Sequence, residues 1–187
     1  MNQGVNEQAS KTVAAETSNQ SVNDYPPGTM VRKIKIFRKP LAVEEQYVAL
    51  VRSITTKKRK KYIKTSNIPI KDFSSFMQSL SKQFKGNLAS IKDGKLKKLT
   101  LPLMNPSGIG LPEVPDENAT KLVVVSIGQW NGVLFCSEID DEPLTIKVFE
   151  KAKNGDILGQ VTLENNEELS LLNLESVLKR EGFLSMV

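Results

Sequence analysis

The sequence predicts an α+β domain, an antiparallel β-meander packed against two or three helices, behind a disordered N-terminal tail. Three observations carry that expectation. β-branched runs between residues 121 and 163 are separated by two Asn-Gly pairs, the strongest short hairpin signal. Apolar residues spaced by three and four mark helices over 70–84 and 167–181. Residues 1–29 carry almost no large apolar side chain and cannot offset their ordering entropy. With 187 residues, 39% apolar and 25% charged, the chain suffices for one core plus an extension. The expected division is a tail over residues 1–29 and a single domain over residues 30–187.

Taken in order, Tyr25-Pro26-Pro27-Gly28 closes the tail, as a stiff linker or as a short extended peptide for a partner domain. Lys33 and Lys35 alternate with Ile34 and Ile36, the period of a half-buried strand that Pro40 is expected to stop. Gln46 to Ile54 reads as a core strand. Five consecutive cations, Lys57 to Lys61, then form a polar link, and Tyr62-Ile63 a short extended piece. Pro69 is placed as the first residue of the helix carrying Ile70, Phe73, Phe76, Met77, Leu80 and Phe84, with Gly86 just past its end. Residues 101–118 hold four prolines and two glycines, so no regular element is expected there. Their apolar side chains Leu101, Leu103, Met104, Ile109 and Leu111 look exposed and form a candidate self-association arm. The meander follows: 121–127 and 133–139 around Asn131-Gly132, then 144–149 and 157–163 around Asn154-Gly155. Leu171, Leu174, Val177 and Leu178 lie on the final helix, stopped by Gly182, and Phe183 to Val187 can return as an edge strand or dock on the sheet.

Charge is distributed unevenly. The net charge is +5, yet residues 31–100 hold 19 Lys/Arg against four carboxylates, and residues 101–187 hold 14 carboxylates against six cations. Such segregation favours a polyanionic partner for the basic region, or self-association between unlike faces. The plainer reading is that the two halves intermix in the fold and neutralise each other. The candidate polyanion-binding residues are Arg52, Lys57, Lys58, Arg59, Lys60, Lys61 and Lys64, with Lys92, Lys95, Lys97 and Lys98 as a second group. Only Tyr62 adjoins them, so backbone or headgroup contact fits better than base stacking.

Catalysis is not expected. The chain has no histidine, the commonest general base and metal ligand, and its single Cys136 lies in an apolar run. Glu44/Glu45, Asp140/Asp141 and Glu167/Glu168 read as carboxylates in turns or solvated faces, and Gly108-Ile109-Gly110 lacks the third glycine of a dinucleotide site. No cofactor or metal is expected. The polar start and the lack of a long apolar run lead to the expectation of a soluble, cytosolic protein.

In arrangement the chain resembles the rhabdovirus matrix proteins. Tyr47 to Ile54, the link with Thr65-Ser66 and the helix carrying Phe73, Phe76, Met77 and Leu80 are similar to that family's opening strand and first helix. Leu144 to Phe149, an acidic stretch, the Leu171 to Leu178 helix and Gly182-Phe183-Leu184 are similar to its C-terminal part, so the resemblance spans about residues 31–187. Animal-virus members tend to begin with a Lys-rich tail bearing Pro-Pro-x-Tyr. Here the tail is slightly acidic and reads Tyr-Pro-Pro-Gly, in which a plant-infecting member is similar. The resemblance implies a domain that self-associates, condenses the nucleocapsid or RNA, and touches anionic membrane through basic loops. The expected locations are the virion and the host cytoplasm, with host membranes or nucleus as further places. Other readings are a nucleic-acid-binding accessory protein, such as a silencing suppressor or movement factor, and a small host adaptor.

Overall fold

The computed structural model describes residues 25–69, 100–128 and 130–184. The helix expected over 70–84, the cations Lys92, Lys95, Lys97 and Lys98, and residues 1–24 lie outside the described residues. What is described is a mixed α+β fold dominated by antiparallel sheet.

β1 (Met30–Ile36) and β2 (Lys39–Glu44) form a hairpin in register Val31↔Glu44 through Ile36↔Lys39. Phe37 (φ 47) and Arg38 (φ 64) make its two-residue turn. Positive φ at both central residues is the I′ form, which closes a right-twisted hairpin without glycine here. Pro40 therefore does not end the β-structure: it sits near the start of β2, opposite Lys35, where a missing N–H is tolerated. A 3-10 turn (Glu45–Tyr47) leads into β3 (Val48–Ser53), so the strand expected from Gln46 begins two residues later.

Lys57 to Lys61 are not in a link, and Tyr62-Ile63 are not extended: all lie on helix α1 (Thr56–Thr65), which ends at Ser66 in the left-handed conformation (φ 55). β4 (Asn67–Pro69) pairs with β5 (Thr100–Pro102), so Pro69 ends a strand and does not open a helix, and Leu101 lies in a strand within the Pro-rich stretch.

β6 (Lys121–Ile127) and β7 (Trp130–Cys136) are antiparallel, with Ser126 opposite Asn131 and Val125 opposite Gly132. The expected Asn131-Gly132 turn is thus inside β7, and the chain reverses just before Trp130. Packing explains the glycine: a Cβ on Gly132 would collide with the Met104 Sδ and press on Leu178. Asn131 is buried and accepts a 2.5 Å bond from Ser126 Oγ.

The expected single meander is split between two sheets. After Cys136 the chain crosses over: β8 (Glu138–Ile139) pairs with β1, as does the start of β9 (Leu144–Asn154). β9 turns at Gly155-Asp156 into β10 (Ile157–Leu163), and β10 pairs with β11 (Glu168–Leu172). β11 occupies the first part of the helix expected over 167–181. Only helix α2 (Leu174–Glu181) remains, capped by the Asn173 side chain on the Ser176 amide at 3.1 Å. β11 then runs parallel to β2. The ring β1-β2-β11-β10-β9-β1 closes a five-stranded barrel. β12 (Phe183–Leu184) adds to β7 as the anticipated edge strand, giving a second sheet in the order β12-β7-β6-β3.

Three apolar clusters hold these layers together. Val31, Ala42, Ile146, Val161, Leu163, Leu169 and Leu171 fill the barrel. Ile34, Leu41 and Val43 on its outside pack with Val123, Val125, Leu134 and the α2 residues Val177 and Leu178. The opposite face of the second sheet (Leu122, Val124, Val133, Phe135) packs with Tyr62, Ile68 and Leu101. β6 is therefore covered on both sides, as its unbroken Leu-Val-Val-Val run requires. Each fully buried Val or Leu contributes about 1.5–3 kcal/mol.

The apolar residues of the Pro-rich stretch join these cores and do not form an exposed arm. Leu101, Met104 and Ile109 are buried, while Leu103 and Leu111 pack against the clusters. Two buried carboxylates fasten the stretch. Asp156 accepts from the Ser107 amide (2.5 Å) and from both Arg180 terminal nitrogens (2.9 and 2.7 Å). Asp116 accepts from the amides of Phe37 (3.0 Å) and Asn118 (2.9 Å). The end of the expected tail is also part of the fold. Tyr25 meets Phe149 edge-on at 4.7 Å, and Thr29 donates to the Pro26 carbonyl across a turn with Gly28 at φ 95. Pro27 and Gly28 hold the middle positions of a type II turn.

Candidate polyanion interface

α1 is a poor helix by local chemistry. Its N-cap Thr55 makes no side-chain cap bond, no acidic residue lies in its first turn, and Lys57 and Lys58 stand at the positive end of the helix dipole. Ten residues are too few for a stable isolated helix. Docking holds it: Tyr62 is buried beside Ile68 and Leu101, Ile63 packs on the same cluster, and Arg59 Nη1 donates to the Ala119 carbonyl at 2.9 Å. These three residues occupy one side of the helix, so Arg59 turns away from the surface.

The remaining cations take the other side. Lys57, Lys60, Lys61 and Lys64 stand at i, i+3, i+4 and i+7, which places them on one face, and all four are exposed. Lys58 flanks them, also exposed. Among the described residues none of the five makes an ion pair. Arg52 sits on β3 opposite Leu122, on the sheet face that α1 covers, and is partly buried. The structure thus brings Lys57, Lys58, Lys60, Lys61 and Lys64 together, sets Arg52 beneath them and turns Arg59 inward.

The cations of β1 behave differently. Lys33 pairs with Glu167 and Lys35 with Glu138 (2.8 Å), and Arg32 pairs with Glu45 and donates to the Asp140 and Asp141 carbonyls. The hydrogen bond to Glu45, with lesser help from Glu142 and Asp141, raises the Arg32 pKa further, and the bond from Lys35 lowers that of Glu138. Basic and acidic halves therefore neutralise each other along β1, whereas the α1 face keeps its charge.

One feature escaped the sequence reading. Tyr25, Thr29, Met30, Glu44, Glu45 and Gln46 line an open groove of about 470 Å³. Glu44 is not on a solvated face: it is 8% exposed, and burial raises its carboxyl above the ordinary range despite hydrogen bonds with Gln46 and Tyr25. The alternation of β2, which directs Ala42 and Glu44 to the same side, was the available signal.

Cys136 is buried, and burial pushes its thiol well above its ordinary range, so it is an unreactive core group. Among the described residues no group of three metal-ligating side chains converges, and no helix is long and apolar enough to cross a membrane. No protein-family model matches the chain, and a search of curated proteins finds no significant match.

Proposed function

We propose that this chain is a matrix-type structural scaffold, an α+β domain with two or three helices that self-associates. In this reading it contacts ribonucleoprotein or anionic membrane through the lysine face of α1. The observation that carries the reading is the set Lys57, Lys60, Lys61 and Lys64 on one exposed helix face, opposite the docked residues Arg59, Tyr62 and Ile63. Like charges at these spacings each cost about 0.2–0.5 kcal/mol, and cations at a helix N-terminus cost about 0.3–1 kcal/mol. A polyanion removes those penalties.

The chemistry of the face favours non-specific contact. It offers point charges on flexible stems, with no arginine fork and no aromatic ring to stack on a base. Five exposed lysines supply about 5 kcal/mol on an anionic bilayer, at about 1 kcal/mol each. On single-stranded RNA they give a log–log salt slope near −3.5, at about −0.7 per phosphate contacted. The adaptor reading is disfavoured because Tyr25 is engaged with Phe149.

The test is co-sedimentation with RNA, anionic liposomes and neutral liposomes across a salt series. A variant with Lys57, Lys58, Lys60, Lys61 and Lys64 all changed to Gln should lose binding to both polyanions while keeping its circular dichroism. Wild-type protein that pellets with neither refutes the reading, as does equal binding by the variant. RNA binding as a discrete oligomer without liposome binding would transfer the conclusion to a nucleic-acid-binding accessory protein.

A further inference from the structure

We propose that the lysine face of α1 also docks on a second copy of this chain, in the acidic groove lined by Tyr25, Thr29, Met30, Glu44, Glu45 and Gln46. This rests on the reading of α1 as an electrostatic contact and names a protein partner for it.

Charge complementarity carries the inference. Five exposed lysines lack ion-pair partners among the described residues. The groove presents the opposite sign: Glu44 has no cation paired with it among the described residues, and Glu175 is near enough to act on it electrostatically. Asp141 and Glu142 act in the same way on Arg32, whose charge Glu45 already engages. A lysine ammonium on a four-carbon stem can enter an opening of about 470 Å³ and meet the Glu44 carboxylate while its stem lies along Met30, which is 46% exposed. The chain's own N-terminal tail is a poorer occupant, because residues 1–24 carry Lys11 against Glu7, Glu16 and Asp24.

Two consequences follow from the geometry. The contact joins different surfaces on the two copies, so it is heterologous and builds open chains unless the rotation happens to close a ring. It also uses the lysines that a polyanion would use. The two ligands compete for one face, so each weakens the other's apparent affinity to the extent that it occupies that face itself.

The experiment compares wild-type protein, Met30→Arg, Gln46→Lys and the α1 lysine-to-glutamine variant by sedimentation velocity at low and high salt, alongside RNA binding. Met30 and Gln46 are exposed, so both groove substitutions preserve the fold, which circular dichroism checks. Wild type should associate at low salt and dissociate on adding a short RNA. The groove variants should stay monomeric yet bind RNA at least as tightly as wild type does, and the α1 variant should lose both properties. Zero-length carbodiimide cross-links should join α1 lysines of one copy to Glu44 or Glu45 of another. Groove variants that associate normally, or cross-links confined to other lysines, would each overturn the inference and leave the proposed function intact; a monomeric wild type would overturn the inference together with the self-association of the scaffold, leaving only the polyanion contact. An α1 variant that still binds RNA overturns that reading instead.

Discussion

Replacing Arg180 by Met removes both guanidinium bonds from Asp156, whose side chain is 3% exposed, and leaves it the bonds from Ser107 alone. The carboxylate then has two courses. It can remain an uncompensated buried ion, at about 3–5 kcal/mol. It can instead take up a proton, which at pH 7 costs about 4 kcal/mol for a group of ordinary pKa near 3.9, at about 1.36 kcal/mol per unit. The cheaper course sets the bound, so Arg180→Met should lose about 3–4 kcal/mol at pH 7. The pH dependence has a definite sign. Burial alone would raise the Asp156 carboxyl, but the Arg180 and Ser107 bonds outweigh it and hold the group below the ordinary carboxylate range. Its contribution is present above the unfolded value and is lost as pH falls through the folded one. Urea titrations at pH 7 and near pH 3.5 should therefore show the wild-type advantage shrinking at the lower pH. Asp156→Asn combined with Arg180→Met should be more stable at pH 7 than Arg180→Met alone, because no charge is left buried. An equal loss at both pH values, or a double variant weaker than the single one, would refute the electrostatic account and point to lost packing.

Other substitutions probe the remaining elements. Gly132→Ala should cost about 1–3 kcal/mol by overpacking against Met104 and Leu178, read as a lower urea midpoint, and Met104→Ala should relieve part of that cost. Arg38→Gly should raise stability by up to about 1 kcal/mol, because the residue is exposed at φ 64, where a Cβ is disfavoured; a thermal melt decides it. Tyr62→Ala removes the anchor of α1 but keeps all five lysines. Hydrogen exchange should show Thr56–Thr65 losing protection, and polyanion affinity should fall if the helical arrangement matters beyond the charge itself. Unchanged affinity would reduce the helix to a carrier of charge.

The legible parts of the fold were those with one dominant period. Lys33 and Lys35 alternating with Ile34 and Ile36 placed β1, and Asn154-Gly155 placed the β9–β10 reversal to within a residue. The sequence misleads where two signals compete. Asn131-Gly132 has turn chemistry, but Gly132 is required by the approach of Met104, and packing won. Leu169, Leu171 and Leu172 fit a strand or a helix, and only the pairing with β10 and β2 decides for β11. α1 carries no helical signature in the sequence because its apolar stripe is reduced to Tyr62 and Ile63 and its propensity is overridden by docking. The charge of the candidate site was visible in composition, yet the selection of four lysines and the inward turn of Arg59 required the helical period. The groove was less accessible still, because it depends on Tyr25 and Thr29 being brought beside Glu44 by the β1–β2 hairpin.

The parallel pairing of β2 with β11 has a bearing on how this chain is made. The first hairpin of the barrel leaves the ribosome well before its partners β9, β10 and β11, because everything from the 3-10 turn to β7 is inserted between them. Until β9, β10 and β11 have been made, the apolar sides of β1 and β2 have no barrel to enter, and closing so long a loop slows the step that finally buries them. The nascent protein therefore exposes unpaired strand edges beside a strongly basic segment, which is when binding to RNA or to a chaperone would most alter its fate.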